Sequence, residues 1–160
     1  DYNVLFNPNT TDTNTEFGID SNIIIEGFEI NKINNNVLNI LRDWDYLKEN
    51  DSYQQLKWAY ILNKDKKYTF YHKHEPYKWS WVFYVQVPNN LYEDEGKISF
   101  KSELEIFNYL PSEGDLLIFP CSLEHKPIPS TKMDISRITL AGAIKKINTN
   151  IKKNFDIKLF

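Results

Sequence analysis

Cysteine is almost missing from this sequence, with Cys121 the only one among 160 residues. That excludes an intramolecular disulfide and leads us to expect a reducing, cytoplasmic setting. Histidine is nearly as scarce, at three residues, and methionine occurs once. No unbroken apolar run approaches the ~20 residues of a membrane-spanning helix, and the first residues do not read as a basic-then-apolar targeting segment. Neither sign of charge dominates. A formal net charge of −3 gives no reason to expect nucleic acid or an anionic membrane as the main partner. Internal repeats and low-complexity stretches are absent too. One sequon, Asn9-Thr10-Thr11, reads as chance in such a setting.

Apolar and aromatic residues, by contrast, are plentiful. The hydrophobic fraction is 41% and aromatics are 15%, which excludes a disordered chain. The length suits one domain spanning 1–160 with a substantial core. Residues 1–20, rich in Asn, Thr and Asp, read as a poorly structured lead-in. The run 23-IIIEGFEI-30 reads as a strand whose glycine marks a bulge. In 36-NVLNILRDWDYLKEN-50, Val37, Ile40, Leu41, Trp44 and Leu47 recur at helical spacing, and Asn36 is placed to cap the N-terminus.

Beyond that helix the pattern is β. Strands are expected at 56–63, 67–74, 79–87, 96–100, 115–120 and 136–146. Turn chemistry separates them at 63–65, 88–90 and 112–114, with a proline-bearing loop at 126–132. Short strands without alternating helices predict an antiparallel sandwich or barrel, here a double-sheet β-roll with a helix laid against it.

The three histidines fall into one spacing. In a strand, residues i and i+2 share a face, so His72 and His74 project together. His125 follows the apolar segment 111-PSEGDLLIFPCSLEH-125, which an antiparallel roll can bring alongside. Imidazole suits iron, zinc, copper or nickel. An H-x-H pair alone is a weak signal, and surface or core histidines are the plainer reading. What favours a metal site is that all three histidines fit it, with Arg137 opening a strand that reads Arg-Ile-Thr.

The sequence H-x-H, an aromatic strand with Tyr84, P-x-x-G-D-L-L-I-F-P, a distal His and R-x-T resembles the Fe(II)/2-oxoglutarate-dependent oxygenases. Within them it is most similar to the small prolyl-hydroxylase-like proteins of bacteria and phages. The resemblance covers 56–146. It implies a mainly β double-stranded β-helix (a jelly roll, cupin-like) with one or two packing helices. It also implies Fe(II), 2-oxoglutarate as cosubstrate, O2, and a peptide prolyl or other side chain as the group hydroxylated. His72 and His125 correspond to the first and last iron ligands. Arg137 corresponds to the residue that grips the distal carboxylate of 2-oxoglutarate, with Thr139 on the same strand face. Tyr84 is either a partner in that grip or a core aromatic with a satisfied hydroxyl.

The departure lies at the second ligand. The family pattern is H-x-D or H-x-E, and this chain has His74. Either three imidazoles bind the metal or Glu75 supplies the carboxylate after a bulge, and strand alternation favours His74. Some of Trp79, Trp81 and Phe83 are expected at the substrate mouth, with core packing the plainer role for each. Lys73, Glu75, Tyr77 and Lys78 are expected near the opening. Two alternatives remain open on sequence alone. One is a cupin-type metal enzyme that does not use 2-oxoglutarate; its usual glutamate after H-x-H is missing here. The other is a catalytically silent β-roll that binds through its aromatics.

Overall fold

A computed structural model describes residues 17–18, 24–25, 28–62, 69–89, 91, 95–129 and 135–147. Its single helix among these residues, α1, runs Ile30–Asp43 and buries Ile30, Ile33, Asn34, Val37, Leu38 and Leu41. That is the i, i+3, i+4 stripe of an amphipathic helix. Both ends differ from the expectation. Asn36 lies inside the helix, because the start is two turns earlier. The asparagines at 34–36, poor helix formers, mask those turns in the sequence. The end comes early because Asp45 adopts a left-handed backbone with φ of 63°. Around it, Asp45 N–H donates to Arg42 O at 2.8 Å and Tyr46 N–H to Leu41 O at 2.9 Å, a Schellman closure. Trp44, expected in the buried stripe, is therefore 51% exposed.

Short strands precede the helix: β1 (Phe17–Gly18), β2 (Ile24–Ile25) and β3 (Phe28–Glu29). The single strand expected at 23–30 is instead the β2–β3 antiparallel pair followed by the first helical residue. Gly27, the expected bulge, lies outside the described residues. So does most of 1–20, in which Phe17–Gly18 pairs with Trp58 and Ala59.

The remaining strands are β4 (Tyr53–Leu62), β5 (Trp79–Gln86), β6 (Ile98–Lys101), β7 (Ile106–Tyr109), β8 (Leu116–Pro120), β9 (Glu124–Pro127) and β10 (Arg137–Lys146). They form a five-stranded sheet, β1-β4-β10-β5-β8, and a three-stranded sheet, β7-β6-β9, both antiparallel. The protein is thus a mainly β jelly roll with α1 packed against it. Strands β7 and β9 were not foreseen. Ile106 and Phe107 of β7 are exposed, so no buried alternation betrays it, and β9 lies where a loop was expected.

The strand expected at 67–74 is not a regular one. Lys67 and Tyr68 lie outside the described residues, and 69–74 makes an isolated antiparallel bridge, His72 with His125. The ladder stops there because the partner chain turns at 121–123. His74 N–H donates instead to Cys121 O at 3.2 Å.

The large sheet has two unlike faces. On one, Ala59, Trp81, Ile138, Leu140 and Ile144 pack under α1. On the other, cross-strand register aligns Tyr60, Thr139 and Tyr84 in one row and Trp58, Ala141, Val82 and Leu117 in the next. Trp79, Trp81 and Phe83 all belong to the helix-side core, so none faces the inner cavity where the substrate mouth was expected. Asn34 ties helix to sheet, accepting from Trp81 Nε1 at 3.2 Å and donating to Gln55 Oε1 at 2.5 Å.

Gly142 stands opposite Trp81, and a Cβ there would lie 2.5 Å from indole Cε2 and Nε1. Trp81 is fully buried and cannot retreat. Strand propensity alone would favour alanine over glycine. The packing predicts the opposite: Gly142→Ala destabilises by about 1–3 kcal/mol. Urea unfolding should show a lower midpoint with an unchanged slope, and an unchanged or higher midpoint would contradict this account.

Candidate metal and dicarboxylate site

The bridge between segment 69–74 and β9 builds the first half of the site. His72 N–H donates to His125 O at 3.0 Å and His125 N–H to His72 O at 3.1 Å. This reciprocal pair sets the two side chains next to one another, with ring centroids 4.4 Å apart. His74 stays two residues along an extended backbone, so its ring joins them, 5.0 Å from each. The ligating atoms of His72, His74 and His125 all lie within 4.8 Å of one another. Glu75 is exposed beside the cis Glu75–Pro76 bond and is outside the cluster.

Two of the rings are oriented by nearby carbonyls. His72 Nδ1 meets Phe70 O at 3.1 Å and His125 Nδ1 meets Leu123 O at 3.0 Å. A carbonyl in that place fixes the neutral ring's proton on Nδ1 and leaves the Nε2 lone pair as the ligand. Burial dominates the electrostatics. It lowers the His125 pKa to about 3, against the opposing pull of the Leu123 carbonyl and with smaller contributions from the other two rings. His74 is lowered to about 4, first by burial and then by His72. Both rings are neutral at physiological pH, the form that binds metals. Trp58 packs 5.0 Å from the His74 ring and Phe119 lies edge-on 4.7 Å from His125.

The second half of the site belongs to β10. Arg137 is 2% exposed, yet among the described residues no carboxylate pairs with it. One nitrogen, Nη1, donates to Gly96 O at 2.9 Å, with Lys97 O further off at 3.5 Å. Nε is buried with no acceptor at all. The guanidinium sits 5.9 Å from the Tyr84 ring. Burial pulls its pKa down and Tyr84 and Tyr60 oppose the pull; a guanidinium stays protonated regardless. Tyr84, 1% exposed, has its phenol pushed up to about 12, mainly by burial, and so remains an O–H donor. Thr139 is the cross-strand partner of Tyr84, and its Oγ1 donates at 3.4 Å to Tyr60 O. The pairing shifts by one residue between Ile138 and Thr139, which leaves Val85 as the extra residue on β5.

A family model described as "Putative 2OG-Fe(II) oxygenase" matches residues 57–142, more than half of the chain. The chain belongs to the 2OG-Fe(II) oxygenase family. Solved structures show the same fold at low identity. A Phytophthora capsici prolyl 4-hydroxylase is 15% identical over 78% of this chain and 44% of its own, with a TM-score of 0.54. A Pseudomonas putida prolyl 4-hydroxylase is 16% identical over 72% and 59%, and a Burkholderia pseudomallei 2OG-Fe(II) oxygenase-family oxidoreductase 15% identical over 83% and 65%, each also at 0.54. The chain therefore spans less than two thirds of the length of these relatives. A search of curated proteins found no match.

A 2OG-Fe(II) oxygenase implies Fe(II) and 2-oxoglutarate, and the residues present fit both. Three imidazoles converge with their ring nitrogens close enough to hold a divalent ion. An orphaned buried guanidinium N–H suits an incoming carboxylate. The sequence did not single out Trp58 and Phe119 as walls of this site. Their inward position depends on pairings such as Ala141 with Trp58 and Ser80 with Phe119, which no local pattern reveals. An apolar groove of about 590 Å³ also runs along β8, lined from Ile40 and Trp44 to Phe100, Phe107 and Phe119, and neither the three histidines nor Arg137 line it. Phe100 and Phe119 both touch the His125 ring from that side. Of the residues expected at the opening, Lys73, Glu75 and Lys78 are exposed, while Tyr77 is half-buried against the inner core.

The two depressed histidines set a pH dependence for the metal-free protein. Below pH 6.5, the ordinary value, the unfolded chain protonates both rings, whereas the folded chain resists until about 4 and 3. The unfolded state binds more protons in that window, so stability falls as pH falls. The urea midpoint should drop between pH 6.5 and 4, and His125→Gln should flatten that drop. A wild-type midpoint that stays level would contradict the burial of these rings.

Proposed function

We propose that this chain is an Fe(II)- and 2-oxoglutarate-dependent oxygenase that hydroxylates its substrate. In this reading His72, His74 and His125 hold the metal, and Arg137 binds the distal carboxylate of 2-oxoglutarate. The single observation that carries it is the buried Arg137, with Nε unpaired, on the same inner sheet face as Trp58, which packs against His74. A buried cation without an acidic partner is costly, and a ligand carboxylate would relieve it.

The iron, when bound, supplies the redox chemistry that couples 2-oxoglutarate decarboxylation to O2 reduction. The balance is one substrate C–H converted to C–OH. One oxygen atom of O2 enters that hydroxyl and the other enters succinate as CO2 leaves. The chain's own residues bind and shield. Arg137 offers a charge-assisted donor. Tyr84 and Thr139 add hydroxyls on either side of the same row. Trp58 and Phe119 keep water from the ligand rings. Prolyl 4-hydroxylases among the fold relatives make a peptide side chain the first substrate to try.

The cupin alternative would hold the metal without needing Arg137. Anaerobic titration with Fe(II) and 2-oxoglutarate separates the two. The oxygenase reading expects a metal-to-ligand charge-transfer band. Arg137→Ala should raise the 2-oxoglutarate concentration needed for it by roughly tenfold to a hundredfold, the worth of a charged hydrogen bond of ~1.5–3 kcal/mol. His74→Ala should abolish the band. If wild type shows no band, or if Arg137→Ala titrates identically, the oxygenase reading fails.

A further inference from the structure

Resting on that reading, we infer that His74 makes metal retention depend on the dicarboxylate, so that this site loads its metal strongly only when 2-oxoglutarate is present. The balance of formal charge on the inner face of the roll carries this inference. A site of two histidines and one carboxylate gives a divalent ion one negative charge from the protein. Here the cluster is three imidazoles, and no carboxylate belongs to it among the described residues.

The acidic groups adjacent in sequence do not repair this. Glu75 is exposed and outside the cluster. Glu124, beside His125, lies 3.7 Å from Lys101. Asp115, near Tyr84, accepts from Tyr109 Oη at 2.8 Å and from Ser112 N–H at 2.7 Å. Cys121 is buried with its Sγ 3.1 Å from Ser80 Oγ, and burial raises its thiol pKa, so it brings no charge.

Among the described residues, the buried formal charge that shares the inner face is Arg137, and it is positive. A bound divalent ion and this guanidinium thus place three positive charges on the inner side of the roll, where Trp58 and Phe119 pack against the histidine rings and Tyr84 lies beside Arg137. Burying charge without a counter-ion is strongly unfavourable. A dicarboxylate cancels two of the three, one carboxylate at the metal and one at Arg137. Each ligand then raises the affinity of the other by the same factor. A protein carboxylate in place of His74 would supply part of that neutralisation beforehand and weaken the coupling.

The test uses cobalt(II) as the metal, whose visible absorption reports coordination without turnover. Wild-type protein and His74→Asp are titrated with cobalt, with and without saturating 2-oxoglutarate. Free cobalt is corrected for the weak complex it forms with 2-oxoglutarate in solution. We expect 2-oxoglutarate to tighten cobalt binding to wild type by roughly 30-fold or more and to His74→Asp by less than about 5-fold, within the usual range of coupling between sites. His74→Glu replaces the aspartate variant if circular dichroism shows the latter unfolded. Equal factors in wild type and the carboxylate variant, or cobalt binding to wild type that ignores 2-oxoglutarate, overturn the inference and leave the metal site standing. Failure of wild type to bind cobalt under either condition overturns the site reading itself, and the inference with it.

Discussion

The burial of β10 on both faces is the constraint from which the rest of the molecule takes its shape. Its first eight residues, Arg137–Ile144, are all buried, and it pairs along its length with β4 on one side and β5 on the other. A strand in that position must be covered twice. The helix covers one face through Leu140, Ile144 and the indole of Trp81 over Gly142. The other face could have been filled with large apolar side chains as well. Instead it carries Ala141 and Ala143, small enough to leave room for Trp58, and at the start of the strand Arg137 and Thr139. The stable core and the polar site are therefore alternating residues of one strand.

That alternation explains what could be read in advance. Arg137 and Thr139 are two apart, as are His72 and His74, and a period of two survives any extended backbone. The histidine pair kept its common direction even though 69–74 forms a bridge and not a strand. Scarcity helped as well: the chain has three histidines, and all three lie in one cluster. The strands β5, β8 and β10 were legible because each carries a dense apolar or aromatic run, while β4 and β6 showed shorter runs between turn signals.

Other features depend on information that is not local. The helix boundaries were misplaced because three asparagines disguise the start, and the stop is a left-handed Asp45 where a glycine would have announced it. Strand β7 has exposed Ile106 and Phe107 and exists by pairing with β6, so its own residues show no inward face. Trp79, Trp81 and Phe83 carry the strongest aromatic signal in the chain, and register with β10 sends them to the helix side. Nothing in the composition of 79-WSWVFYVQ-86 says which of its two faces looks inward. Only the pairing of Tyr84 with Thr139 decides it.

The same pairing gives Arg137 its meaning. An arginine so deeply buried normally appears with a carboxylate, since a lone charge in a dry interior opposes folding. Here the neighbours are Tyr84, Tyr60 and the carbonyls of Gly96 and Lys97, all dipoles without formal charge. Dipoles can hold a guanidinium, but they leave Nε without an acceptor. A purely structural arginine would gain from closing that gap with an acidic side chain, and selection for stability alone would favour it. Leaving the gap open makes sense when the anion is a ligand that must come and go. Among the described residues no carboxylate joins the three-histidine cluster and none pairs with Arg137, so neither group has a protein anion beside it. On the proposed reading, an interior built that way suits a molecule with negative charge at both ends.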